Sequence, residues 1–83
     1  MKQDEHEKRL PLLLGTRKAA ELCGVSPRTW TTHDACGKVP LAVRLGRSRF
    51  WRTEEIRDWV QAGCPDREMW LEMEPAKKYL RSP

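Results

Sequence analysis

Long apolar runs are missing from this chain. None exceeds three residues, as at Leu12 to Leu14, far short of the ~20 that span a bilayer, so no membrane span is expected. The opening MKQDEHEKRL holds no apolar h-region, and no secretory signal is expected either. No Cys-x-x-Cys occurs. The three cysteines, Cys23, Cys36 and Cys64, are an odd and widely spaced set, unlike a disulfide scaffold. They read as reduced thiols in a cytoplasmic protein. At 83 residues the chain is too short for barrels or doubly wound sheets. One small domain is the natural size.

Acidic residues are scarce in the middle. Between Thr16 and Arg52 stand eight basic residues (Arg17, Lys18, Arg28, Lys38, Arg44, Arg47, Arg49 and Arg52) against Glu21 and Asp34, a net of +6. From Thr53 onward the balance is five basic to seven acidic. A basic middle beside a mildly acidic end is what a polyanion-binding face with a solvated rear would produce. A protein that merely happens to be basic would look the same by charge alone. With 39% hydrophobic residues against 34% charged, a compact core is still permitted.

Residues 1–9 are almost all charged or polar, and a disordered tail is expected. Leu10 to Leu14 reads as an extended lead-in that Pro11 keeps from being a helix interior. Thr16 is placed to cap a two-turn helix through Cys23, closed by Gly24. Its face of Ala19, Ala20 and Cys23 admits close approach of a neighbour. Ser26 caps the next helix with Pro27 at its first position. That helix runs to Ala35 and ends at Gly37. Trp30 and His33 point inward; Arg28, Thr31, Thr32 and Ala35 point outward. Ala42–Leu45 and Arg49–Arg52 read as strands joined by a turn at Gly46-Arg47-Ser48. Thr53 is placed to cap a third helix with Ile56, Trp59 and Val60 on one face. Asp66 is placed to cap a last amphipathic helix carrying Met69, Trp70 and Met73. Trp30, Trp51 and Trp59 are expected to meet in one core, each burying on the order of 150–250 Å².

The expected architecture is therefore mainly α with a small β-hairpin: a winged helix-turn-helix over 10–65, followed by a C-terminal amphipathic helix and tail over 66–83. In such a fold the second helix enters the major groove of double-stranded DNA. Arg28, Thr31 and Thr32 would meet base edges. Thr29 and the amides at the helix start would hold a phosphate, with the cap Ser26 also among the DNA-binding residues. Arg47, Ser48 and Arg49 would form the wing contact, with Arg17, Lys18 and Arg44 neutralising further phosphates.

The runs LLLGTRKAAELCGVSPRTW, GKVPLAVRLGRSRFW and EEIRDWVQAGCP resemble the AlpA/excisionase-type branch of the MerR-like winged helix-turn-helix proteins. The resemblance spans Leu12 to Pro65. It implies a small cofactor-free DNA-binding protein of a prophage or other mobile element, acting either in transcription regulation or as an excisionase-like factor that directs DNA recombination with an integrase. Four positions depart from the pattern: Thr31 and Thr32 where basic residues are usual, His33 where an apolar residue is usual, and Phe50 where arginine is common.

Cys23, His33 and Cys36 are a fragment of a zinc set, but the knuckle spacing and a fourth ligand are missing, so no metal is expected. His33, Asp34 and Glu21 lie in no catalytic motif. An enzyme would show a concave pocket holding His33 together with a perturbed pKa, and no such combination is expected. The serious competitor is a protein–protein adapter using the C-terminal helix. Because one recognition helix reads few base pairs, a homodimer or a cooperative multimer on DNA is compatible with the main reading.

Overall fold

The computed structural model describes residues 10–80. Within them lie β1 (Leu13–Leu14), α1 (Thr16–Leu22), α2 (Pro27–Ala35), β2 (Val43–Leu45), β3 (Ser48–Arg52), α3 (Thr53–Gln61), α4 (Arg67–Glu72) and α5 (Glu74–Lys77). About half of these residues are helical. The strands form one antiparallel sheet in the order β1-β3-β2. The expected tail over 1–9 lies outside the described residues.

Three glycines end three helices in the same way. Gly24, Gly37 and Gly63 all have positive φ. After α1, the Gly24 amide reaches Glu21 O at 3.0 Å and the Val25 amide reaches Ala20 O at 3.0 Å. This paired closure satisfies carbonyls that the helix end would leave orphaned. Equivalent pairs follow α2 (Gly37 to Asp34, Lys38 to His33) and α3 (Gly63 to Val60, Cys64 to Trp59). The C-cap Cys23 and the two residues Gly24 and Val25 thus separate α1 from the Ser26 cap of α2, and half-buried Val25 packs on the core at that corner.

Several local expectations shift. Gly15, not Thr16, is the N-cap of α1. The lead-in is a strand: Leu13 pairs with Arg52 and Leu14 with Trp51. The Thr53 hydroxyl donates to Pro11 O and its amide to Leu12 O at 2.9 Å. Those bonds to the lead-in take Thr53 into the helix and leave Arg52 as the cap. Asp66 stands at the N-cap of α4 without a side-chain cap bond. Ser48 joins β3, paired with Leu45, so the hairpin turn is the two residues Gly46-Arg47. Gly46 has φ +65°, the positive φ that a tight hairpin needs at this position.

Trp30, Trp51 and Trp59 do meet. Trp30 lies edge-on to both, with ring centroids 5.4 Å from Trp51 and 6.2 Å from Trp59. A fourth tryptophan, Trp70, is fully buried in the same core with Leu14, Ala19, Ala20, Val39, Ile56 and Ala76. The core therefore continues past Pro65 into the C-terminal helices. This rotates the buried stripe of α3: Glu55, Ile56 and Trp59 are buried, while Val60 is exposed. The cause is Trp70, whose indole N–H donates to Glu55 Oε2 at 2.9 Å, drawing the Glu55 side of the helix inward. Arg52 compensates that buried carboxylate from 3.3 Å. Trp51 donates to Pro40 O and Trp59 to Pro65 O, both at 2.8 Å. Only the Trp30 indole N–H has no partner among the described residues. No helix among them is long and apolar enough to cross a membrane.

Candidate nucleic-acid interface

Residues Pro27–Ala35 carry one acid, Asp34, and the structure turns it inward. Asp34 lies four residues after Trp30, so the two share a helix face. Both are buried. Arg28, Thr29, Thr31, Thr32 and Ala35 are exposed, as the outward face was expected to be. The exposed side of α2 therefore presents a cation, three threonine hydroxyls and two methyl-bearing positions side by side at Thr31 and Thr32, with no carboxylate among them.

The start of α2 is pre-arranged. Ser26 Oγ accepts from the Thr29 amide at 3.1 Å and donates to Thr29 Oγ1 at 3.0 Å. That amide is thus already satisfied. The Thr29 hydroxyl keeps its own proton for an outside acceptor.

The other expected residues fall on separate elements. Arg17 and Lys18 lie exposed in the first turn of α1, and Arg44, Arg47 and Ser48 lie exposed on β2, the turn and β3. Among the described residues, Arg17, Lys18, Arg28, Lys38, Arg44 and Arg47 take part in no ion pair. Arg49 differs. It was expected as a wing cation, but its guanidinium donates to Asp34 Oδ2 at 2.5 Å while half its side chain stays exposed. Arg67 of α4 reaches the other oxygen, Asp34 Oδ1, at 2.8 Å. It also donates to Val39 O at 2.9 Å and to Asp34 O at 3.1 Å. The sequence reading missed this node. Its signal was present in the i, i+4 spacing of Trp30 and Asp34, and in a lone acid surrounded by arginines.

His33 is half-buried and lines a concavity of about 280 Å³ with Cys23, Trp30, Val39, Trp59 and Cys64. The concavity lies where the corner between α1 and α2, α2 itself and the α3–α4 connector meet. Burial, and then the neighbouring Cys64, push the Cys23 thiol above its ordinary value. That is the opposite of nucleophile activation. Among the described residues, no group of three or more His, Cys, Asp or Glu is arranged to hold a metal.

The C-terminal helix is fastened to the rest of the chain. Trp70 of α4 and Ala76 of α5 are fully buried, leaving Met69 of α4 and Leu80 beyond α5 as the exposed large apolar side chains there. Tyr79 donates to Asp58 at 2.6 Å, and Lys78 pairs with Asp58 at 3.3 Å. No family model, curated protein or solved structure matches this chain.

Proposed function

We propose that the chain is a sequence-specific binder of double-stranded DNA, built as a winged helix-turn-helix with α2 as the helix that enters the major groove. One observation carries this reading: the single acid of α2 is turned inward, so its exposed face is free of carboxylates and stands in a stretch with six cations that make no ion pair with any described residue. Unpaired cations release condensed counterions on meeting phosphate, whereas cations already paired to carboxylates have less to gain. Arg28, Thr31 and Thr32 read base edges. Arg44 and Arg47 on the hairpin, with Arg17 and Lys18 on α1, hold the backbone. The resemblance to AlpA/excisionase-type proteins supplies the biological setting: cytoplasmic regulation of transcription or of excisive recombination for a prophage or mobile element, with an integrase as partner in the second case. No cofactor, metal or catalytic step enters this reading.

The adapter reading is weaker, because α4 spends its tryptophan on its own domain. The two separate experimentally. Footprinting on the DNA upstream of the protein's own gene should show a protected site, and Arg28→Ala should lose ~1–3 kcal/mol of affinity at one base pair of that site. Self-association in sedimentation without any DNA retardation would favour the adapter and overturn the DNA reading. An integrase gene and attachment site beside the coding sequence would favour the recombination role.

A further inference from the structure

We propose that Arg49 serves DNA binding as a positioning residue, acting through Asp34 to hold the hairpin against α2, and does not itself neutralise a phosphate. This rests on the DNA-binding reading above and revises the role of one residue in it.

Three elements converge on the Asp34 carboxylate. It belongs to α2, is 9% exposed, and uses its two oxygens separately: Oδ2 for Arg49 of β3 at 2.5 Å, Oδ1 for Arg67 of α4 at 2.8 Å. A carboxylate this buried needs such compensation, because removing it from water is costly unless it is paired and hydrogen-bonded. Arg67 gives its Nε to the Val39 carbonyl and its Nη2 to the Asp34 carbonyl and Oδ1, and it makes no bond to Oδ2. Arg49 is what remains for that oxygen.

The hairpin register gives a second reason. Arg44 stands directly opposite Arg49, and like charges in facing positions repel. Drawing Arg49 onto Asp34 offsets one of the two charges and leaves Arg44 exposed. A short hairpin with a two-residue turn is marginal by itself. Tying β3 to the C-terminal turn of α2 fixes the spacing between the helix and the tip residue Arg47, which lowers the ordering cost when both meet one duplex.

The test compares affinity and its salt dependence on a fluorescent duplex from the upstream DNA, by anisotropy from 50 to 200 mM salt. Arg47→Gln should lower the magnitude of the log–log slope by about 0.9, the signature of one lost phosphate contact. Arg49→Gln and Arg49→Lys should each weaken binding about tenfold with the slope unchanged, and Asp34→Asn, which frees Arg49, should weaken binding about tenfold without lowering the slope. The double variant Asp34→Asn/Arg49→Gln should be no weaker than either single one. A slope reduced by Arg49→Gln as much as by Arg47→Gln overturns the proposal, as does full binding by Arg49→Gln. The same variants are read in thermal unfolding, where Asp34 and Arg49 should be coupled. Should Asp34→Asn fail to fold, the two Arg49 variants decide the matter. A wild-type chain that binds no duplex overturns the DNA reading; additive melting effects of Asp34 and Arg49 overturn the brace itself.

Discussion

Residues 16–52 and residues 53–80 are both rich in cations, yet they use them differently. In the first region six of eight make no ion pair with any described residue, and Arg49 and Arg52 pair with Asp34 and Glu55. In the second, Arg67, Lys77 and Lys78 are all paired, to Asp34, Glu74 and Asp58, and Arg57 makes no ion pair with a described residue. Net charge by itself marks only a basic middle. Pairing shows which positive charges are available to an external polyanion and which are already neutralised within the molecule. The acid-poor region holds the exposed face of α2 and the hairpin; the acid-rich region supplies the packing behind them.

The sharpest way to break this division is through the core that both regions share. Trp30→Ala should cost ~3–5 kcal/mol of stability in urea denaturation, and loss of structure should be simultaneous in both regions. Two separate transitions would show them to be independent units. Thr31→Ala and Thr32→Ala, one and two positions further on, should stay within about 0.5 kcal/mol of wild type in the same measurement.

Next in size is the corner between α1 and α2. Gly24 has φ +77° and nothing within 4 Å of an added Cβ, so Gly24→Ala carries no clash and only the left-handed backbone cost. About 1–2 kcal/mol of destabilisation is expected. A neutral result would mean that the corner can relax.

A smaller effect tests the cations directly. Arg47→Ala should reduce the salt slope of duplex binding by about 0.9, whereas Lys77→Ala, removing a cation paired to Glu74, should leave it unchanged. Equal effects would erase the distinction between the two regions.

The smallest expected effect is a pH dependence of the C-terminal anchor. The hydrogen bond from Tyr79 chiefly holds the Asp58 carboxyl below its ordinary 3.8, against a lesser upward push from burial. Its contribution is therefore complete above pH 3.8 and lost as pH falls through the lower folded value. Burial, then the bond to Asp58, raises the Tyr79 phenol above its ordinary 10. Its contribution is complete below pH 10 and lost as pH rises beyond it. Tyr79→Phe should flatten both limbs of the stability profile, read by thermal melts across pH.

Much of the fold was legible in local chemistry. Gly24, Gly37 and Gly63 follow helix-forming runs, and each takes the positive φ that ends one. Ser26-Pro27 marks a helix start by the capping hydroxyl and the proline's missing amide. The alternation around Gly46 marks a hairpin. What could not be read locally is where a side chain goes when two partners compete for it. Thr16 and Thr53 are good caps in isolation, but the structure caps α1 with Gly15, and Thr53 bonds to Pro11, 42 residues earlier. Ile56, Trp59 and Val60 describe a sound apolar stripe until Trp70 pulls Glu55 inward and leaves Val60 in water. The outward placement of Arg28, Thr31 and Thr32 followed from helical spacing alone. The commitment of Arg49 did not, because its partner lies 15 residues away and is chosen by burial.

The order of its helices and strands, the glycine corners and the uneven distribution of charge were thus determined by the sequence itself, because they depend on backbone propensities and on contacts a few residues apart. The tertiary structure alone decided which charges stay unpaired, which tryptophan joins the cluster from the C-terminus, and how the hairpin is held to α2. Those outcomes turn on the desolvation of carboxylates such as Asp34 and Glu55, a cost that arises only when distant segments close over them and one that the nearest available donor must then offset.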